Sequence, residues 1–229
     1  MKSLDNSQLK KLAMITMLID HMGAILLERT TLYSIKWVPV LDFLLRMIGR
    51  LAFPIFCFLL VQGFIHTSNL KRYIRRLLIF ALCSEIPFDL AVFSKLSGEH
   101  QNVGFTLLIG ILMLSAFSWF EKNTKKPELG YLISTIIAGS AAYLLAVDYS
   151  YQGILLIAIL YLLRNNNKLK CILGGLLFTY QSAAVFAYPI IYNASGEKGN
   201  SRISGRQFYL FYPIHLLILY FFKIMILTF

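Results

Sequence analysis

Long apolar blocks alternate with short, lysine- and arginine-rich connections along the whole chain. Eight blocks approach the length a helix needs to cross a bilayer. They run Leu12–Leu27, Phe43–Ile65, Tyr73–Phe93, Val103–Phe120, Leu129–Val147, Ser150–Leu163, Cys171–Tyr192 and Phe208–Thr228. The pattern predicts an all-α, polytopic transmembrane helix bundle of about eight membrane helices, one domain over residues 1–229. The sixth block is short and is expected to be tilted, re-entrant or packed behind longer neighbours. The basic stretches "MKSLDNSQLKK", "KRYIRR" (71–76), "EKNTKKPE" (121–128) and "RNNNKLK" (164–170) fall at alternate connections. The positive-inside rule puts these in the cytoplasm, and an even helix count puts both termini there. Loop 193–207 is then outside, although its three basic residues, Lys198, Arg202 and Arg206, run against the rule.

Composition narrows the picture further. Apolar residues make up 58% and charged residues 14%, too oily for an ordinary soluble domain. The net charge of +11 sits mostly in the connections, so topology explains it without nucleic acid. Cys57, Cys83 and Cys171 lie inside apolar blocks and read as packing residues. Four scattered histidines offer no metal-binding spacing, so no metal is expected. The first block does not read as a signal peptide, because Asp20 and His21 interrupt it and no A-x-A site follows. A multi-pass protein of the inner or plasma membrane is expected.

The informative residues are the polar ones inside the blocks. Asp20 and His21 lie roughly 13–15 Å in from Lys11, near the middle of a ~30 Å hydrocarbon core. Asp42, Arg46 and Arg50 recur every four residues on one helical face, as do Glu85 and Asp89 around Pro87. Like charges on one face need a counter-charge, and Arg46 and Arg50 are the expected partners of Glu85 and Asp89. His215 lies in the last block, and Asn102, Asp148 and Tyr149 mark the outer edge. Interhelical salt bridges alone would account for Asp42, Arg46 and Asp89. The whole constellation favours a pathway or site, because intramembrane ionisable groups are rare. His66 is expected at an interface and His100 in solvent.

Three stretches, "KLAMITMLIDHMGAIL", "RMIGRLAFPIFCFLLVQGFIHTSNLKRYIRRLLIFALCSEIPFDLA" and "FYLFYPIHLLIL", together resemble the TraX family of membrane proteins, from about Lys11 to Leu219. The resemblance implies a membrane-bound N-acetyltransferase acting on the N-terminus of a conjugative pilin. It also implies kinship with transmembrane acyltransferases that draw on cytosolic acyl-CoA, in which a first-helix histidine is catalytic. His21 is the matching position.

Acyl transfer suits these residues. A histidine can take the acceptor's proton as it attacks a thioester. The group orienting His21 could be Asp20, Glu85, Asp89 or Asp148, with His215 a further catalytic candidate. Arg46, Arg50, Asn102 or Tyr212 could stabilise the oxyanion, and Asp148 and Tyr149 could meet the acceptor. Direct transfer and an acetyl-histidine intermediate both stay open. Lys71, Arg72, Arg75 and Arg76 are the candidates for the phosphates of acetyl-CoA. Expected partners are the acyl-CoA donor, a protein, peptide or glycan acceptor, and the lipid bilayer. The rival classes are a proton-coupled transporter or channel and a scaffold without chemistry.

Overall fold

A capping box starts the first helix. In the computed structural model, which describes residues 3–199 and 205–228, Asp5 accepts from the Gln8 N–H at 2.8 Å while Gln8 Oε1 accepts from the Asp5 N–H at 3.0 Å. That reciprocal pair opens α1 (Asn6–His21). Past His21 the backbone widens into a π-helical stretch, Met22–Leu27, a distortion often found at functional sites. Next come α2 (Val38–Gly49) and α3 (Ala52–His66), separated only at Arg50–Leu51. Pro54 explains the break: it lacks an N–H, and its ring crowds the carbonyl four residues back, that of Arg50.

The remaining helices are α4 (Leu70–Phe93), α5 (Val103–Asn123), α6 (Glu128–Leu144), α7 (Ser150–Leu162), α8 (Asn167–Leu177), α9 (Ala187–Tyr192) and α10 (Gly205–Thr228). Side chains of Asn69, Asn102 and Asn166 cap α4, α5 and α8. The described residues contain isolated bridges but no named strand. Among the described residues three helical runs, Val38–His66, Val103–Asn123 and Gln207–Thr228, are long and apolar enough to cross a membrane.

The two ends of the bundle differ in charge. At the basic end the start of α1 meets the segment after α9: Leu4 pairs with Ala194, and the Asn6 N–H donates to Glu197 O at 2.9 Å. Lys10 lies over the Phe208 ring, so α10 starts at this end too. Glu121 gathers the hydroxyls of Tyr131 and Tyr161 here, joining the end of α5, the start of α6 and the end of α7. At the opposite end Arg29 donates to Val92 O at 2.7 Å, and Lys223 of α10 donates to Ala91 O at 3.1 Å.

These contacts correct the expected topology. Residues 193–199 lie at the basic end with the start of α1, not across the bundle from it, and Thr228 lies at the far end. Positions 200–204 of the expected outer loop fall outside the described residues. The reason is the seventh apolar block, which does not traverse. At ~1.5 Å per residue, the eleven residues of α8 rise only ~17 Å. The chain turns through a 3₁₀ stretch (Thr179–Phe186) and returns as α9. Gly174 makes the hairpin possible, because a Cβ there would press on the Tyr188 ring. The tip reaches the centre, where Phe178 lies 6.0 Å from Phe53 and 6.2 Å from Tyr149 between ring centroids. The described chain therefore passes between the ends in α1 with its π stretch, α2 with α3, α4, α5, α6, α7 and α10, and Lys198 of the expected outer loop no longer conflicts with the charge pattern.

Candidate functional site

His21 closes α1 at mid-depth and meets α10. Its Nδ1 lies 2.6 Å from Nε2 of His215, with the two rings 11° from parallel and their centroids 4.9 Å apart. His215 is buried, and its Nδ1 lies 2.8 Å from the Phe211 carbonyl oxygen one turn back. Tyr212 turns its ring edgewise to both histidines at 5.8 and 5.6 Å. Its hydroxyl accepts from the Val103 N–H at the start of α5, which leaves its own proton available to donate.

Asp20 serves a different partner. Arg46 Nη1 donates to Asp20 Oδ2 at 2.5 Å. Glycines bring α2 this close: a Cβ on Gly49 would overlap the Asp20 side chain, and one on Gly23 would sit 2.7 Å from Asp42 Oδ1. Arg50, at the α2–α3 break, donates to the Tyr149 hydroxyl, and the Tyr149 ring stacks on Phe53 at 3.5 Å. Tyr149 takes this position in a tight turn, at φ 62°.

The expected pairing of Arg46 and Arg50 with Glu85 and Asp89 is therefore not found. The two arginines turn towards α1 and the α6–α7 turn, because Gly23 and Gly49 seat α2 directly on α1. Glu85 instead accepts from the backbone and side-chain amides of Asn102, which also donates to Ala81 O at 2.9 Å and locks α4 to α5. Asp89 Oδ2 accepts from the Ser97 N–H at 2.8 Å and fixes the loop after α4.

Asp148 lies at the far rim. Its N–H donates to Gln101 O at 2.9 Å, its carbonyl accepts from the Thr106 hydroxyl, and its Oδ1 accepts from the Tyr149 N–H at 3.1 Å. Part of its surface is open, yet protein crowding first and the Asp20 carboxylate second push its carboxyl up to about 6. It lines a cavity of about 280 Å³ with Arg29, Phe88, Phe93, His100 and Gln101. Another cleft of about 280 Å³ opens at the basic end among Asn69, Lys71, Arg72 and Arg75. Arg76 turns aside over Tyr73, its guanidinium 5.9 Å from the ring centroid.

Most residues singled out by sequence thus fall in one column: cations at the basic end, His21, His215, Tyr212, Asp20, Arg46 and Arg50 in the middle, and Asp148 at the far rim. Asp89 stands apart as a loop anchor. Sequence reasoning missed Thr106, the two packing glycines and Lys223, although a lone lysine in an apolar run is itself a signal. Among the described residues no cluster able to hold a metal occurs.

The chain is 30% identical over 246 residues to a probable fimbrial assembly protein FimC, serogroup H1, of Dichelobacter nodosus, covering 93% of each chain. No solved structure matches it. Residues 5–223 match the family described as "TraX protein", and over that length the chain belongs to the TraX family.

Proposed function

We propose that this protein is a membrane acetyltransferase that moves an acetyl group from cytosolic acetyl-CoA to an acceptor amine or hydroxyl met from the other side of the membrane. The observation carrying this reading is the position of His21, between the cation-lined cleft at one end and the Asp148 cavity at the other. Lys71, Arg72 and Arg75 suit CoA phosphates, with the basic end in the cytoplasm. Glu85, level with the centre, lies ten residues beyond Arg75 on α4, ~15 Å along the helix, so an extended donor has to thread its acyl end inward. His21 takes the acceptor's proton as the acceptor attacks the thioester carbonyl. Arg50 and the Tyr212 hydroxyl are the donors suited to the developing oxyanion. Seven crossings and a re-entrant hairpin fit this polarity.

The name of the Dichelobacter relative, a probable fimbrial assembly protein, favours a fimbrial subunit as acceptor class, and the N-terminal amine is the acceptor group that the resemblance to the TraX family implies. Mass spectrometry of surface fibre subunits and envelope glycans with and without the gene tests this reading. Loss of one acetyl group from a defined acceptor is expected, and unchanged acetylation throughout would refute it. The rival is a proton-coupled transporter, favoured by buried carboxylate oxygens without partners on Asp20, Asp42, Glu85 and Asp89. Proton uptake by protein-loaded vesicles without acetyl-CoA would support that rival.

A further inference from the structure

We infer that His215 is a positioning residue that fixes the tautomer of His21 and leaves Nε2 of His21 as the proton acceptor. Its catalytic meaning depends on the acyl transfer proposed above; the tautomer follows from geometry alone. The Phe211 carbonyl can only accept, so His215 Nδ1, 2.8 Å away, carries a proton. A neutral imidazole has one N–H, so His215 Nε2 presents a lone pair. That lone pair faces His21 Nδ1 at 2.6 Å, so His21 carries its proton on Nδ1 and Nε2 is bare. The opposite arrangement needs a doubly protonated His215. No carboxylate hydrogen-bonds either ring among the described residues, because Asp20 is held by Arg46 and Glu85 by Asn102. An imidazolium buried beside Phe211 and Tyr212 would be uncompensated and costly.

His21 is thus oriented by a neutral ring instead of an acid. As the acceptor nitrogen or oxygen bonds to the thioester carbonyl carbon, its proton passes to His21 Nε2. The C–S bond then breaks and His21 returns that proton to the departing thiolate. Meanwhile the positive charge on His21 is stabilised by the lone pair of His215 Nε2, whose own N–H leans on the Phe211 carbonyl. Among the described residues His21 Nε2 has no hydrogen-bond partner, which leaves it free for the acceptor.

Histidine-selective ¹⁵N NMR of the full chain in nanodiscs, with His21 assigned by loss of its signals in His21→Gln, reads the tautomer without any turnover. A protonated Nδ1 and bare Nε2 are expected on His21, with the preference lost in His215→Leu. A proton on Nε2 in the wild type, or an unchanged tautomer in His215→Leu, would overturn the inference. In acetyl transfer to a synthetic peptide with a free N-terminus, His215→Leu should lower kcat by roughly 10²–10⁴ without changing the KM for acetyl-CoA. His215→Gln, whose Oε1 can accept from Nδ1, should recover most of that loss, and it decides the matter where His215→Leu does not fold. A His215→Leu enzyme at wild-type rate would remove the positioning role. The expected tautomer in a protein that transfers no acetyl group would leave the histidine couple standing and refute the acyl-transfer reading.

Discussion

Asp20 and Arg46 show how closely a charge at this depth depends on its partner. Each is mostly covered, with side-chain exposures of 15% and 25%, and among the described residues Asp20 Oδ1 has no hydrogen-bond partner. Arg46→Ala leaves the carboxylate alone and should cost about 3 kcal/mol in detergent unfolding, whereas Asp20→Asn with Arg46→Leu should recover most of it. Equal losses in both variants would mean that the pair is not coupled. Asp148 gives a pH-dependent test. Its folded-state value of about 6 lies above the ordinary 3.8, so the folded protein holds this proton where the unfolded chain has lost it. The resulting stability is full below ~3.9, the unfolded value, and is lost as pH rises through the folded value. The wild-type melting temperature should therefore fall relative to Asp148→Asn between roughly pH 4 and 7; parallel curves would contradict the assignment. Residue identities at the site were legible in sequence because ionisable groups stand out in apolar blocks. Their partners were not legible: which face of α2 meets α1 depends on Gly23 and Gly49, which look ordinary in an oily run.

At the scale of elements, packing glycines and helix breaks decide the geometry. A Cβ on Gly49 would displace Asp20, so Gly49→Ala should destabilise the protein by ~1–3 kcal/mol. Gly139 on α6 is the control. Its Cβ would meet only the Tyr151 Cβ at an ordinary 3.6 Å, so Gly139→Ala should be neutral or add up to ~1 kcal/mol. Thermal unfolding of both variants in one detergent checks the contrast, and a tolerant Gly49 would sink the close-approach argument. Helix positions were readable from apolar length; the broken block 171–192 was not. Hydropathy averages over Gly174, Gly175 and the 3₁₀ turn, and so cannot see a chain that enters and leaves by the same end.

For the whole molecule, that hairpin changes the parity of the passes between the two ends of the bundle. The basic residues of loop 193–207 were the one sequence feature that spoke against an outer location, and the pairing of Ala194 with Leu4 agrees with them. Single cysteines at Asn123 and Ser195 should both resist an impermeant reagent added to intact cells, while one at Thr228 should react. Labelling at Ser195 but not Thr228 would restore the even-numbered topology. In the proposed acyl transfer the same polarity sets the direction of chemistry, with donor and acceptor meeting at His21 from opposite sides. Oriented proteoliposomes measure this directly, by following transfer of radiolabelled acetyl from acetyl-CoA to a peptide bearing a free N-terminus. Transfer is predicted when acetyl-CoA is on the side of the Lys71–Arg75 cleft and the peptide is on the other, and it should be lost in His21→Ala. Equal transfer with the two substrates exchanged, or an active His21→Ala protein, would contradict the account.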